Sequence, residues 1–183
     1  MVALIARAGR GVAAALFVLG AACAHAQAAS EAAVKAAFLY KFPGYVEWPA
    51  DAFAAADSPF FVGFIGADDV AAEMEKVVAG RTVFGRRVTI RRLREGDTVR
   101  GIHLLYVGRG DAASRAQLRA AYAQSGVLVV GDGERALESG ATIAFVAVED
   151  RVAFEVSLES ADRAGLRISS RMLAVARRVV PKP

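Results

Sequence analysis

Side chains that could do chemistry are few in this chain. Of its two histidines and single cysteine, only His103 lies beyond residue 26. A catalytic triad needs an exposed histidine beside a hydroxyl and a carboxylate, whereas His103 stands between apolar residues of a predicted strand. One histidine without cysteine also excludes a His/Cys zinc site. The sequence therefore predicts a protein that is not an enzyme and that needs no metal or cofactor.

Paired carboxylates occur at three predicted turns or helix starts. At such positions aspartate caps backbone amides and stays in water. None of these loops has the alternating oxygen ligands that calcium requires. We therefore expect these carboxylates to be solvated. The pairs are Asp68 with Asp69, Asp132 with Glu134, and Glu149 with Asp150.

The first 26 residues have the three-part layout of a secretory signal peptide. Arg7 and Arg10 precede a small and apolar run over residues 11–22, and Ala-His-Ala at 24–26 fits a cleavage site after Ala26. The run is short for a membrane span, which needs roughly 20 residues. Two alternatives stay open: a short uncleaved anchor and lipidation at Cys23.

Residues 27–183 are predicted to form one domain in the periplasm. They contain no cysteine, so apolar burial rather than disulfide bonds must stabilise the fold in an oxidising compartment. The formal net charge of +4 includes the two leader arginines and falls to +2 without them. This mild charge does not favour nucleic acid as a partner.

The pattern of apolar runs predicts an α/β fold. Ser30 is a candidate N-cap for a helix that stops near Phe42, because Pro43 cannot donate a backbone hydrogen bond. Apolar strands that alternate with helical patterns indicate a mixed, mostly parallel sheet with helices on both faces. The strands are predicted at 60–65, 82–84, 87–93, 102–107 and 127–130, and helices at 70–78, with Asp68 or Asp69 as the cap, and 111–123.

The C-terminal third is predicted to differ from this alternation. Segments 142–148 and 151–158 flank Glu149 and Asp150, which indicates an antiparallel hairpin. Ser169 or Ser170 is then predicted to be the N-cap of a last helix that runs through Arg178.

Five aromatic residues fall within eleven positions, more than one buried helix face can hold. Some could therefore be exposed, and exposed aromatics mark partner sites. They are Phe38, Tyr40, Phe42, Tyr45 and Trp48.

Arginines are concentrated in two stretches, which are either solvated faces or a patch for an acidic protein or a small carboxylate. The first contains Arg81, Arg86, Arg87, Arg91, Arg92 and Arg94, and the second Arg163, Arg167, Arg171, Arg177 and Arg178.

Three glycines, Gly66, Gly108 and Gly131, follow or close predicted strands. The carboxyl ends of parallel strands form a crevice that suits small ligands. The segment Gly108-Arg109-Gly110 lacks the third glycine of a dinucleotide fingerprint and the lysine of a phosphate loop. These glycines therefore predict a ligand crevice of unspecified chemistry.

Residues 34–42 and 45–49 read VKAAFLYKF and YVEWP. This aromatic-rich helix just after a signal peptide resembles the opening of the YfiR family. The similarity continues through nearly the whole predicted mature chain. It includes the blocks 61–66, 88–93, 103–107, 129–132, 143–145, 152–156 and 165–176.

The resemblance implies a periplasmic regulator of cyclic-di-GMP signalling and biofilm formation. The family's namesake represses a membrane-bound diguanylate cyclase by binding its periplasmic sensor region, and an outer-membrane lipoprotein withdraws it. Two features depart from the pattern: the mature chain lacks the cysteines of a redox switch, and Pro43-Gly44 interrupts a helix that the family usually continues.

The leading hypothesis is that this protein binds such a cyclase and represses it. The alternative is a periplasmic small-molecule sensor without a cyclase partner, and a homodimer also stays open. The residues expected to contact the partner are Tyr45, Trp48, Arg167, Ser169, Arg171 and Met172.

Overall fold

The computed structural model describes residues 30–94, 96–109 and 126–182. Its helices are α1 (Glu31–Lys41), α2 (Asp68–Val78), α3 (Leu158–Arg163) and α4 (Ser170–Leu173), and a 3₁₀ turn spans Phe42–Tyr45. Its strands are β1 (Val46–Glu47), β2 (Phe60–Ile65), β3 (Thr82–Val83), β4 (Arg86–Leu93), β5 (Leu104–Val107), β6 (Leu128–Asp132), β7 (Ile143–Val148), β8 (Arg151–Ser157), β9 (Arg167–Ile168) and β10 (Arg178–Val180).

The main sheet has the strand order β10-β8-β7-β6-β5-β2-β4-β3. Strands β4, β2, β5, β6 and β7 pair in parallel, whereas β7–β8 and β3–β4 pair antiparallel. The predicted α/β fold, with a mostly parallel sheet and an antiparallel C-terminal hairpin, is confirmed. Positive φ angles at Glu149 and Asp150 close that hairpin, as expected for a tight two-residue turn.

The chain changes direction across the sheet beside β2. It first adds β4 on one side of β2 and then returns to add β5 on the other side. The carboxyl ends of β2 and β5 therefore lie at a topological switch point, where open α/β sheets usually bind ligands.

Helix α1 begins and ends where its sequence predicts. The Ser30 hydroxyl oxygen accepts a hydrogen bond from the Ala33 backbone N–H at 3.1 Å. Phe42 and Pro43 start the 3₁₀ turn, because proline has no N–H with which to continue the helical ladder. The chain then turns sharply into β1.

Apolar side chains form a cluster on each face of the sheet. The first cluster joins sheet residues such as Phe64 and Phe145 to Leu39 of α1, Met74 of α2 and Ala161 of α3. In the second cluster, loop residues pack on the opposite face, among them Val99, Ile102 and Ala141. The helix predicted at 111–123 lies outside the described residues, so helices on both faces remain a prediction.

Two local predictions are wrong. The last helix does not reach Arg178: α4 ends at Leu173, and residues 178–180 form β10 against β8. Arg177 and Arg178 both bind the buried Glu155 carboxylate, which favours the strand over a longer helix. Ala67 rather than an aspartate is the N-cap of α2, since Asp68 and Asp69 already lie in its first turn.

No helix in the described ranges is long and apolar enough to cross a membrane.

Candidate functional site

A short two-stranded ribbon joins the aromatic segment to the C-terminal region. β1 pairs antiparallel with β9, with Val46 opposite Ile168. The Ser169 N–H also donates to the Tyr45 carbonyl oxygen at 2.9 Å. Residues more than a hundred positions apart thus form one surface, as the hypothesis of a shared partner site requires.

An apolar groove of about 260 Å³ opens on this surface; we call it the aromatic groove. Packing of Phe42 against Phe145 and Phe154, with ring centroids 5.7 and 5.2 Å away, fixes its floor. Tyr45 stands at its edge with 41% of its surface exposed. The groove is lined by Phe38, Lys41, Phe42, Tyr45, Phe154, Arg171, Met172 and Val175.

Arg167 and Arg171 differ from most other arginines of the two clusters. Both are exposed, and neither makes an ion pair or a side-chain hydrogen bond within the described part of the chain. Arg92, by contrast, binds Glu75, and the Arg86 guanidinium donates to the carbonyl oxygens of residues 55 and 58. Arg167 and Arg171 are therefore available to an acidic partner.

Ser169 and Met172 hold α4 in place beneath this surface and contribute little to its exposed part. The Ser169 hydroxyl oxygen accepts from the Met172 N–H and caps α4. Met172 is only 2% exposed, which corrects the expectation that it is an accessible contact residue. Its side chain packs into the apolar cluster under α4, because the short helix turns it inward.

Trp48 is half-buried and anchors the chain at the amino-terminal edge of the sheet. Its indole N–H donates to the Gly126 carbonyl oxygen at 3.1 Å, and its ring meets Phe60 and Phe84 edge-on at 5.7 Å. Phe84, absent from the predicted set, is 54% exposed in the β3–β4 turn. Phe84 and Tyr45 both line a second concavity of about 460 Å³ that continues the groove.

His103 has the structural role that its apolar neighbours indicate. Its Nδ1 accepts the Phe61 N–H at 3.0 Å, and its Nε2 lies 3.1 Å from the Ala52 carbonyl oxygen, to which it must donate. Burial, followed by the positive charges of Arg86 and Arg91, lowers the pKa of His103. The neutral ring therefore ties the 50–58 loop to the sheet.

The predicted glycine crevice is a polar cleft at the carboxyl edge of the sheet. Gly66 and Gly108 line a lobe of about 270 Å³, but Gly131 does not. A side chain at Gly108 would overlap the Gly66 carbonyl oxygen, so only glycine allows the two strand ends to approach this closely. At Gly131 a Cβ would meet the Ala136 Cβ at 2.6 Å, so this glycine serves packing instead.

A buried ion pair forms the centre of the polar cleft. It was not predicted from the sequence. The Lys35 ammonium lies 2.6 Å from both Asp132 Oδ2 and Glu31 Oε1. The side chains of Lys35 and Asp132 are only 6% and 7% exposed, so the expectation that Asp132 stays in water is wrong. The Tyr106 hydroxyl donates to the same Oδ2 at 3.1 Å. Burial and the Asp132 charge raise the pKa of Tyr106 and keep it a donor.

A signal for this ion pair was present but ambiguous. Lys35 follows Glu31 by four residues, the spacing of a helical salt bridge, and the Lys35 hydrogen bond lowers the pKa of Glu31. No local pattern links either residue to Asp132, which is brought in by the parallel sheet. Arg109 completes the cleft, 3.5 Å from Asp132 Oδ1 and 3.4 Å from Glu31.

The polar cleft is suited to binding more than to catalysis. A lysine that donates to two carboxylates is an ammonium ion, not the neutral amine that covalent catalysis requires. Across the described ranges, no group of three or more potential ligand side chains is placed to hold a metal ion. Both sites therefore offer shape, charge and hydrogen bonds.

The fold is that of an α/β protein with a mostly parallel sheet, and it carries these two concave surfaces. The chain belongs to the YfiR/HmsC-like family, whose model matches residues 32–177. This family comprises periplasmic regulatory domains of cyclic-di-GMP signalling, and the suspected resemblance is confirmed. A search of the curated proteins found no match.

Proposed function

We propose that this protein is exported to the periplasm, where it binds the sensor region of an inner-membrane diguanylate cyclase and represses it. Contact at the aromatic groove would hold the cyclase inactive and lower cyclic-di-GMP. An outer-membrane lipoprotein that withdraws the repressor would restore output. The protein itself would act without catalysis.

The observation that carries this proposal is the β1–β9 pairing. It places exposed Tyr45 beside Arg167 and Arg171, two exposed cations without partners among the described residues. Aromatic residues and arginine supply most of the energy in protein interfaces. Free cations at the rim orient the partner and speed its association.

The chemistry of the groove indicates an apolar and acidic partner segment. Its lining includes Lys41 and Arg171, and no carboxylate among the residues that the structure describes. A partner helix or loop with buried apolar anchors and flanking carboxylates would match both features. Because rim charges are screened by salt, association should slow as ionic strength rises.

The test is the double variant Arg167→Glu/Arg171→Glu in cells that carry the cyclase. We expect repression to be lost and cyclic-di-GMP to rise to the level of a strain without the protein. The matched control is Arg100→Glu/Arg135→Glu, which makes the same charge change at two exposed positions outside the groove. Repression by the first variant, at normal protein level, would overturn the site assignment.

Export is tested separately, because the leader lies outside the described residues. Mass spectrometry of the periplasmic protein should find an N-terminus at Gln27, directly after Ala26. A full-length or cytosolic protein would contradict the proposal, and a lipid-modified Cys23 would show that it is a lipoprotein instead.

A further inference from the structure

The polar cleft has the position and size of a ligand site. It lies outside the carboxyl ends of β2, β5 and β6, at the switch point of the sheet. Beside the lobe under Gly66 and Gly108, a second lobe of about 520 Å³ extends toward the β7–β8 hairpin. The larger lobe falls in the lower half of the usual range for small-molecule pockets, roughly 300–1,000 Å³, and the smaller lobe lies just below that range.

Asp132 has a hydrogen-bonding need that the described residues leave unmet. Its Oδ2 accepts from Lys35 and Tyr106, but its buried Oδ1 accepts no hydrogen bond within the described ranges. The Arg109 Nε, 3.5 Å away, provides charge without a hydrogen bond. A buried acceptor without a donor is unfavourable, so a ligand that donates to Oδ1 would gain free energy there.

The charges of the cleft indicate a cationic donor. Four carboxylates line the two lobes, against three cations, one of which, Lys35, is already held between two carboxylates. Arg109 is exposed and has Glu31 as a second partner, so its side chain can move away from Oδ1. The carboxylates are those of Glu31, Asp69, Asp132 and Asp150.

We propose that the polar cleft binds small organic amines. The ligand ammonium would donate to Asp132 Oδ1, and its hydrocarbon part would lie against Val34, Val146 and Val152 in the larger lobe. This inference goes beyond cyclase repression and does not depend on it, because the aromatic groove shares no lining residue with the cleft.

The test is titration calorimetry of the exported protein with three probes that share a four-carbon chain. Butylamine should bind saturably and raise the melting temperature, because it binds the folded state alone. Butanol and butyrate should not bind. Equal binding of butanol, preferential binding of butyrate, or no saturable binding of butylamine at millimolar concentration would each overturn the proposal.

Two variants locate the binding. Asp132→Asn should abolish it, but this variant also leaves Lys35 with one carboxylate fewer and could fail to fold. Ala147→Trp fills the larger lobe from an exposed position and should weaken butylamine by at least about tenfold. Ala79→Trp, at the exposed end of α2, is the control and should bind normally. Unchanged binding by Ala147→Trp would place the amine elsewhere and refute the site.

Discussion

The polar cleft and the aromatic groove lie at opposite ends of α1. They differ in the burial and the pairing of their charged side chains. In the cleft, Lys35 and Asp132 are buried and hold each other in place. At the groove, Arg171 in the lining and Arg167 on the adjoining strand β9 are exposed and have no partner among the described residues. The charged side chains of the cleft therefore pair with one another within the fold, whereas those at the groove are available to a partner.

This difference has a consequence for experiments on the two regions. Changes in the cleft should lower the free energy of unfolding, and changes in the groove should affect repression while stability is kept.

The largest effect is expected at Lys35. Lys35→Met would leave the buried Asp132 carboxylate without its main counter-charge, at a cost of about 3–5 kcal/mol. Urea unfolding followed by circular dichroism measures this loss. The control is Lys41→Met in the exposed last turn of the same helix, which should stay within about 0.5 kcal/mol. Equal effects at the two lysines would remove the contrast between the regions.

The next effect is expected at the glycines of the two regions. Gly108→Ala would force a methyl group into the Gly66 carbonyl and should destabilise the protein by about 1–3 kcal/mol or more. Gly44→Ala, in the 3₁₀ turn, meets nothing within 4 Å and has a negative φ. It should be neutral or stabilise by up to about 1 kcal/mol, because alanine restricts the unfolded chain. Thermal unfolding of both variants decides between these outcomes.

A smaller effect on stability is expected from the protonation of His103, next to the first residue of β5 and outside both regions. Since folding lowers the pKa of His103, its contribution is complete above the unfolded value of about 6.5 and is lost as the pH falls through the folded pKa. The slope cannot exceed about 1.4 kcal/mol per pH unit for one group. His103→Asn should flatten this part of the stability curve; an unchanged curve would assign the acid sensitivity to other groups.

The smallest effect on stability is expected at Tyr45, although its effect on function should be large. Tyr45→Ala removes an exposed ring and should change the free energy of unfolding by less than about 0.5 kcal/mol. Cyclic-di-GMP repression should nevertheless weaken, because exposed aromatics act as interface anchors. Full repression by this variant would place the partner contact outside the groove.

Local signals were sufficient for much of the fold. Ser30 and Pro43 bound α1 because capping and the missing proline donor act within a few residues. The hairpin turn at Glu149 and Asp150 is equally local. Arg178 was assigned to a helix because the strand that it begins forms only by pairing with β8, which no neighbouring residue indicates.

The candidate sites show the same limit. Gly66 and Gly108 were predictable as strand ends, whereas the burial of Asp132 was not, because it depends on Lys35 reaching across from α1. Tyr45 and Arg171 were each chosen for residue type. Their meeting in one groove follows from the β1–β9 ribbon.

Residue types and their order along the chain determine the family, the α/β class and the scarcity of catalytic groups. Burial, ion pairing and the joining of distant segments arise when the sheet assembles. A side chain's surroundings depend on contacts between residues far apart in the chain, and the desolvation and charge that set its role exist only after those contacts form.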